Sequence, residues 1–387
     1  MDHLFITRKN VHARYYKRLI GKLDLKCYLY VMGKPKINSL WHLKTAFKKN
    51  LDSVIEKQVI RKKAQSTIWH FKLIEKAYSF IVKVQEKLRF AKYIAVLKEY
   101  KPNSVIVWNG KKLPNITVVL AAKHLNIDVF YFENGLLPHT TTLDPTGVNA
   151  SSSLNKTPEF YLKFDPENKL SFSPPELSQR GNHKKRQTFK NTELPKNYIF
   201  VAFQVPHDTQ IASHSPWISS MEMLYDEVIK STKPLNDPSL KIVFKEHPTW
   251  HKHYNHLYDK NDNAVFANGN LTSELIEHSK AVITINSTVG LEALLLNKKV
   301  ITLGEACYNI EDLVLHASNS NELTSCLKKI NEGWTFNQTL RDKFFTYLKY
   351  IYCIPGNRSK AEEEHVLAIK NRLNGSDTFS LTRNKES

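Results

Sequence analysis

Residues 281–304 read A-V-I-T-I-N-S-T-V-G-L-E-A-L-L-L-N-K-K-V-I-T-L-G, and this stretch indicates the fold class. Its periodicity predicts an apolar strand over Val282–Ile285, a helix from about Leu291, and a second apolar strand over Val300–Leu303. The turn Asn286-Ser287-Thr288 places amide and hydroxyl side chains at the start of the helix. A helix start offers backbone N–H groups and a positive dipole end, so this strand–helix–strand unit suits a bound phosphate.

The composition is that of a globular protein with room for two domains. The chain has 387 residues, of which 41% are hydrophobic and 11% aromatic. Basic residues interrupt the N-terminal segment, and no run approaches the roughly 20 apolar residues that a membrane span needs. We therefore expect an unprocessed cytosolic protein. The four cysteines are far apart and form no CxxC pair, which predicts reduced thiols and neither disulfides nor a metal site.

The charge of the chain makes polyanions the expected partners. The formal net charge is +19, and much of the excess precedes Lys112, in runs such as Arg61-Lys62-Lys63. No zinc-finger, KH or RNP-like pattern supports nucleic acid, whereas an anionic lipid surface attracts each nearby basic residue by ~1 kcal/mol. The sequence thus favours an anionic membrane surface over nucleic acid. A third interpretation is that the lysines only keep a large protein soluble.

Short apolar strands alternate with helical segments twice along the chain, which predicts an α/β fold. Residues 63–100 carry apolar side chains at helical spacing and are predicted to form one long or broken amphipathic helix that packs on its own sheet. A segment rich in Ser, Pro, Asn and Lys separates the two strand–helix sets and has the composition of a linker. The predicted divisions are a first Rossmann-like domain (1–165), the linker (166–196), a second Rossmann-like domain (197–340), C-terminal helices (341–373) and a disordered tail (374–387).

Clusters of polar residues follow several predicted strands. Because the carboxyl ends of parallel strands meet at one edge of a sheet, these side chains are expected to face a ligand and not the core. The clusters are Trp108-Asn109-Gly110, Glu133-Asn134-Gly135 with 143–149 downstream, 203–210, Lys245–Pro248 and Asn286–Thr288 with Glu292.

The motifs in these clusters resemble those of the capsule polysaccharide synthesis family, which includes bacterial β-Kdo (3-deoxy-D-manno-octulosonic acid) transferases. The resemblance covers about Ser104 to Tyr308, and the motifs occur in a consistent order. It implies a GT-B glycosyltransferase fold, in which two Rossmann-like domains face a cleft and a C-terminal helical segment follows. The first domain would bind the acceptor and the second the nucleotide sugar. The matching motifs are E-N-G-L-L-P, T-T-T-L-D-P-T-G-V-N, F-Q-V-P-H-D-T-Q, F-K-E-H-P, I-N-S-T-V-G-L-E-A-L and V-I-T-L-G-E-A-C-Y.

The resemblance implies CMP-β-Kdo as the donor and retention at the anomeric carbon, with no cofactor. His247-Pro248 would contact the cytidine monophosphate, and Ser287 with Thr288 would hold its phosphate. Gln204 stands in the family's Gln-Pro position, although Val205 intervenes here. The remaining predicted donor residues are Asn286, Lys245 for the phosphate charge and Glu292 for the ribose hydroxyls.

Several of these residues have a structural alternative. His247 would also suit a strand end at which a histidine binds the backbone, and Asp208 would also suit a polar loop. Glu292 would also stabilise a helix N-terminus by its charge alone.

Two carboxylates are candidates for the catalytic step, because retention through a covalent intermediate needs a carboxylate nucleophile. They are Asp144 and Glu133, of which we favour Asp144 because its loop is expected to reach the cleft, with a turn residue as the alternative. Asn109, Asn134 and Asp208 are possible additional site residues, and by the resemblance some relatives carry an acidic residue where Asn134 stands. The chain has no DxD pair, so a divalent metal is not expected.

The expected function is therefore transfer of Kdo to a lipid-linked glycan at the inner face of the inner membrane. A CMP-sialic acid or UDP-sugar transferase is the alternative among enzymes. A non-catalytic nucleotide-sugar-binding member of a polysaccharide export assembly is the alternative from another class.

Overall fold

The computed structural model of the protein describes residues 2–33, 37–165, 189–356 and 361–386. The chain forms two compact units, one from residues 1–154 together with 347–387 and the other from 155–346. The strands are β1 (His3–Thr7), β2 (Cys27–Val31), β3 (Ser104–Trp108), β4 (Asp128–Asn134), β5 (Thr140–Asp144), β6 (Tyr198–Ala202), β7 (Lys241–Lys245), β8 (Ala264–Phe266), β9 (Ala281–Thr284), β10 (Val300–Thr302), β11 (Leu315–His316) and β12 (Ile354–Pro355).

The helices connect these strands and cover the sheets. They are α1 (Asn10–Ile20), α2 (Leu43–Lys48), α3 (Asp52–Lys63), α4 (Lys72–Tyr100), α5 (Asn115–His124), α6 (Pro158–Lys163), α7 (Thr209–His214), α8 (Met221–Thr232), α9 (Thr272–Glu277), α10 (Val289–Leu295), α11 (Ser320–Asn331), α12 (Gln338–Tyr347), α13 (Glu363–Asn374) and α14 (Thr378–Glu386).

The first unit contains a mostly parallel sheet in the order β12-β5-β4-β3-β1-β2. Its inner strands β1 and β3 are buried along their whole length and are mainly apolar, as strands covered on both faces are. The chain reverses after β4, so β5 runs antiparallel to it, and β12 pairs antiparallel with β5. The predicted α/β fold is confirmed, with β5 as a strand that the sequence did not predict.

The predicted amphipathic helix of the first unit is the long helix α4, which begins later than predicted. α3 ends at Lys63 and α4 begins at Lys72. The second half of α4 packs on the sheet as predicted, with Phe90, Ile94 and Leu97 at most 1% exposed. The first half exposes large apolar side chains to solvent.

The second unit contains a parallel sheet in the order β11-β10-β9-β6-β7-β8. The predicted strand–helix–strand unit is present as β9, α10 and β10, with the helix starting two residues before the predicted Leu291. The two strands of this unit pair in parallel, Ile283 opposite Ile301. A core of buried aliphatic and aromatic residues, including Phe203, Phe244 and Leu303, lies against this sheet.

The predicted domain divisions differ from the observed units. The second unit begins at residue 155, and residues 347–387 return to the first unit. Most of the predicted linker, residues 166–188, lies outside the described residues. The tail predicted to be disordered from residue 374 instead contains α14, whose Phe379 is 3% exposed. The sequence could not show that the tail is ordered, because helical periodicity does not indicate which part of the protein the helix packs against.

Arg372 in α13 fixes the returning segment to the first unit. Its side chain is 2% exposed. The guanidinium donates to the backbone carbonyls of Leu143 and Ile351, each over 2.9 Å, and of Tyr352 over 3.2 Å. It also forms an ion pair with Asp377. One buried cation thereby joins the end of β5 to two separate parts of the C-terminal segment.

Replacing Arg372 with methionine should destabilise the fold by about 3 kcal/mol, because it leaves buried carbonyls and a carboxylate without their donor. Urea denaturation followed by circular dichroism measures the change. Lys370→Met is the matched control, since its ion pair with Asp24 is solvent-exposed and worth under about 1 kcal/mol. Equal losses in the two variants would contradict the role given to Arg372.

Candidate active site

The polar loops of the second unit lie where its strand order reverses. β6 is the first strand of the unit, with β7 and β8 on one side and β9, β10 and β11 on the other. The pairs are parallel, so the loops after β6 and β9 leave the same edge of the sheet on opposite sides of a crevice. The predicted donor residues after these strands therefore lie at the crevice, and those after β7 lie about 5 Å further along the edge.

Two buried amide side chains bridge the crevice. Gln204 and Asn286 are 6% and 7% exposed. Gln204 Nε2 donates to Asn286 Oδ1 over 3.0 Å, and Gln204 Oε1 accepts from the backbone N–H of Asn286 over 3.0 Å. Asn286 Nδ2 donates to the carbonyls of Gln210 and His214, each over 3.1 Å. These predicted donor residues hold the loops together and so set the shape of the crevice.

The loop after β7 presents His247 and Pro248, both half-buried, at the same edge. His247 Nδ1 accepts from the hydroxyl of Thr249 over 2.9 Å and from its backbone N–H over 3.2 Å. Because Nδ1 is an acceptor in these bonds, the ring proton lies on Nε2. His247 is therefore held by its own turn in the tautomer that donates from Nε2.

Glu246, which the sequence analysis did not select, organises the loop that carries His247. Its carboxylate is fully buried. It accepts from the backbone N–H of Tyr254 over 2.8 Å and the hydroxyl of Tyr258 over 3.0 Å, and it lies 2.7 Å from Nδ1 of His253. Its position between Lys245 and His247 at a strand end could have indicated a functional residue. That position does not by itself distinguish a residue that supports the loop from one that binds a ligand.

Lys245, predicted to neutralise phosphate, bonds to the protein itself. Its ammonium donates to the backbone carbonyls of Asn270 and, over 3.1 Å, of Asn268. These bonds join the end of β7 to the loop after β8, so Lys245 supports this edge of the sheet.

The turn after β9 is built on a tyrosine from the loop after β10. The hydroxyl of Tyr308 donates to the carbonyl of Ser287, and burial raises the pKa of Tyr308 well above its usual value, so it stays protonated. Ser287 Oγ accepts from the backbone N–H of Val289 over 3.2 Å. Thr288 and Glu292 are half-buried beside this turn. The structure thus brings Ser287, Thr288 and Glu292 together, as predicted.

Asp208 is the N-cap of α7. Its Oδ1 accepts from the backbone N–H of Gln210 over 3.1 Å and from the hydroxyl of Thr209 over 3.3 Å. The structure therefore gives this possible ligand a capping role. Glu305, another residue that the sequence analysis passed over, lies after β10 with its carboxylate 2.7 Å from His214 Nδ1. That hydrogen bond lowers the pKa of Glu305.

In the first unit, Glu133 lies near the carboxyl end of β4 beside the end of β3. Asn109 Nδ2 donates to Glu133 Oε2 over 2.6 Å, and the backbone N–H of Asn134 donates to Oε1 over 3.0 Å. Asn109 and Gly110 have φ of 65° and 69°, the left-handed backbone of the turn that follows β3. Glu133 is half-buried and Asn134 is exposed, so this carboxylate is oriented but accessible.

Asp144 has a different environment from the one expected. It ends β5 opposite Tyr131, inside the sheet, so the expectation that it lies in a loop reaching the cleft is wrong. Its carboxylate is fully buried. It accepts from the backbone N–H groups of Thr146, Gly147 and Ser153 over 2.7–2.9 Å, and from the hydroxyls of Ser153 and Tyr352 over 2.8 and 3.1 Å. A carboxylate with all its acceptor positions occupied is a poor nucleophile, so the geometry favours Glu133.

Comparison with known proteins identifies the family. "Protein FixF" of Sinorhizobium fredii is 36% identical over 302 residues, which cover 77% of this chain and 73% of that protein. Residues 175–325 match the family described as capsule polysaccharide biosynthesis protein. The chain belongs to the capsule polysaccharide biosynthesis family. Another member, the "Capsule polysaccharide export protein KpsS" of Escherichia coli, is 28% identical, covering 50% of this chain and 64% of its own. Residues 175–325, which match the family, contain all the predicted donor residues and neither of the two predicted catalytic residues.

A solved structure supports the fold assignment for this family member. The "KpsC, beta Kdo 2,7 transferase" of Thermosulfurimonas dismutans matches with a TM-score of 0.50 and 14% identity, over 99% of this chain and 100% of that one. At this identity the similarity concerns the fold alone. Together with the two sheets described above, it confirms the predicted GT-B fold.

Neither a bilayer-spanning helix nor a metal-ligand cluster is present among the described residues. Within 2–33, 37–165, 189–356 and 361–386, no helix is long and apolar enough to cross a bilayer. The same part of the chain has no group of three or more His, Cys, Asp or Glu side chains arranged to hold a metal ion.

Gly290→Ala should destabilise the second unit by about 1–3 kcal/mol, because the added Cβ would lie 2.3 Å from the hydroxyl of Tyr308. The clash displaces the hydrogen bond to Ser287, so if this turn binds CMP, as the resemblance implies, weaker CMP binding should accompany the loss. Chemical denaturation and calorimetric titration with CMP measure the two effects. Gly21→Ala, whose Cβ would find no atom closer than 3.5 Å, is the control and should leave both unchanged.

Proposed function

We propose that this protein is a retaining glycosyltransferase that moves Kdo from CMP-β-Kdo to a lipid-linked glycan during capsule or related surface polysaccharide biosynthesis. The observation that carries the proposal is the crevice of the second unit. It lies at a switch point of a parallel sheet, inside residues 175–325 that match the family, and His247, Ser287 and Thr288 all follow strands that end at this edge. The solved KpsC is described as a β-Kdo transferase and has the same fold, which supports Kdo as the transferred sugar.

The crevice offers the groups that a cytidine monophosphate needs. Nε2–H of His247 is a donor held in place by Thr249, and the hydroxyls of Ser287 and Thr288 lie across the sheet edge, two strand spacings or about 10 Å away. Neutral and hydrogen-bonding groups here stabilise the phosphate without a metal ion. The carboxylate of Glu292 accepts from ribose hydroxyls.

Glu133 is the proposed nucleophile. One of its carboxylate oxygens attacks the anomeric carbon of Kdo while the bond from that carbon to the phosphate oxygen breaks, and CMP leaves with the electron pair. The acceptor hydroxyl then attacks the same carbon, its proton passes to water, and the Glu133 carboxylate is released. Two displacements at one carbon give retention. Asn109 orients the carboxylate through the 2.6 Å hydrogen bond described above.

The experiment is to incubate purified protein with CMP-Kdo generated enzymatically and a lipid-linked glycan acceptor, then to measure released CMP and the product by mass spectrometry. Retained turnover in EDTA is expected. Turnover with CMP-sialic acid or a UDP-sugar, and none with CMP-Kdo, would instead support the alternative donor.

Glu133→Gln should reduce CMP release at least about 100-fold with an unchanged melting temperature, because it removes the nucleophile and keeps the hydrogen-bonding shape. Asp144→Asn should instead lower the melting temperature, since a buried network loses its charged acceptor. Asp128→Asn, at the exposed amino end of the same strand β4, is the control. Full activity in Glu133→Gln would exclude this role.

A non-catalytic role is the second candidate, and it would follow if the family's nucleophile were the acidic residue that the resemblance implies at the exposed position of Asn134. In that case the wild-type protein binds CMP in titrations but releases none from CMP-Kdo. Asn134→Asp then restores turnover if only the missing carboxylate prevents it.

We also propose that the protein binds the anionic face of a membrane through an apolar–basic surface, defined as the exposed side chains of residues 37–88. This segment has eleven Lys and Arg against four Asp and Glu. Trp41, Leu73 and Phe80 are 86%, 82% and 70% exposed, which is costly in water but suits the interface of a bilayer. The exposed large apolar residues here are Ile37, Leu40, Trp41, Phe47, Ile60, Ile68, Phe71, Leu73, Phe80, Ile81 and Leu88.

Sedimentation with vesicles tests this surface. Wild-type protein should bind vesicles that contain anionic phospholipid and bind neutral vesicles weakly, with affinity falling as salt rises. Trp41→Ser/Phe80→Ser should bind anionic vesicles at least about tenfold more weakly, because two large side chains no longer enter the interface. Leu271→Ser/Leu367→Ser removes exposed apolar residues elsewhere and should have no effect. Equal weakening by both double variants would contradict the proposal.

A further inference from the structure

A cavity of about 320 Å³ lies in the first unit, at the carboxyl ends of β1 and β3. β1 is the first strand of this sheet, with β2 on one side and β3 on the other, so the cavity occupies the switch point of its strand order. Ligands of open parallel sheets bind at this place. The volume is at the lower end of the range for small-molecule sites and suits one sugar or a group of similar size.

Basic side chains from three parts of the chain converge on this cavity. They come from the loop after β1, from α3 and from the loop after β3, and the described residues that line the cavity include no Asp or Glu. Cations that share one small space repel each other, and a bound anion removes that repulsion. The five cationic lining residues are Arg8, Lys9, Arg61, Lys62 and Lys112.

The wall formed by α3 is held in place by contacts with neighbouring helices. Arg61 Nη1 donates to Gln58 Oε1 over 3.0 Å, and Gln58 Nε2 donates to the hydroxyl of Tyr78 over 2.9 Å. The ammonium of Lys62 lies 5.2 Å from the ring centre of Trp69. The positive charges on this wall are therefore positioned before any ligand binds.

Asn109 connects the lining of the cavity to Glu133. It lines the cavity, and its Nδ2 donates to Glu133 Oε2 over 2.6 Å. His12 and Trp108 also line the cavity, and their rings stack with their centres 4.4 Å apart. A molecule whose charged group occupies the cavity would thus have the rest of its structure next to the candidate nucleophile.

We propose that this cavity is the acceptor site and that it selects acceptors with an anionic group, a carboxylate or a phosphate, beside the hydroxyl that receives the sugar. The cations from α3 and from the loops after β1 and β3 bind the anion by charge-assisted hydrogen bonds. The assignment to the acceptor rests on the proposed transferase function, whereas the binding of an anion does not.

Isothermal titration of the full-length protein with three small probes tests the site without any donor. The probes are methyl glucuronoside, which has a carboxylate, glycerol phosphate, and the neutral methyl glucoside. Binding of one or both anions, weakened by salt, with none of the neutral sugar, is the expected result. Which anion binds more tightly distinguishes a sugar acid from a phosphorylated acceptor. Equal binding of all three probes, or of none, would overturn the proposal.

Paired double variants locate the binding within the molecule. Lys9→Gln/Lys112→Gln should weaken anion binding at least about tenfold, because two charge-assisted bonds are lost. Lys17→Gln/Lys57→Gln removes the same net charge from exposed positions on α1 and α3 outside the cavity and should leave it unchanged. Melting temperatures within about 2 °C of wild type would show that both pairs fold normally. Equal effects of the two pairs would mean that general surface charge binds the anion, which would also overturn the proposal.

The two proposals can fail separately. Anion binding that the cavity variant weakens, in a protein that releases no CMP from any donor, would leave the site standing and reject the transferase. CMP release that is the same in the cavity variant and in wild type at limiting acceptor would reject the acceptor site and leave the transferase standing.

Discussion

The first unit depends on the buried contacts between the end of β5 and the C-terminal segment. Arg372 donates to the carbonyl of Leu143, and the next residue, Asp144, accepts from the hydroxyl of Tyr352. These bonds hold β12 against β5, which would otherwise be an open sheet edge. They also fix the loop after Asp144 and keep β4 in the interior of the sheet. Glu133, near the end of β4, thereby acquires a rigid position.

In both units polar residues lie at the switch point of a parallel sheet, but the types of residue there differ. The crevice of the second unit is closed beneath by the neutral amides of Gln204 and Asn286. The cavity of the first unit is lined by cations and opens beside a carboxylate. The difference fits a division of labour in which one unit holds a leaving nucleotide and the other selects an anionic acceptor.

The excess of positive charge now has two specific locations. Part of it surrounds the cavity, and part of it lies among the exposed apolar side chains of residues 37–88, with Arg61 and Lys62 common to both. A field of this sign would attract both an anionic lipid surface and an anionic acceptor held in it, as proposed. The two proposals therefore reinforce one another, because an acceptor anchored in the membrane would meet the protein at the same basic region.

The sequence alone determined the fold class, the strand–helix–strand unit β9-α10-β10, and the loops that carry the predicted donor residues, because periodicity and turn chemistry are local properties. It could not separate side chains that face a ligand from side chains that support the fold. A lysine, glutamine or aspartate suits either role, and only the hydrogen-bond partners of Lys245, Gln204 and Asp144 show that they support the fold. The tertiary structure alone decided that the last residues complete the first unit and that Arg8, Arg61 and Lys112 share one cavity. Such contacts join residues distant in the chain, and no local pattern records them.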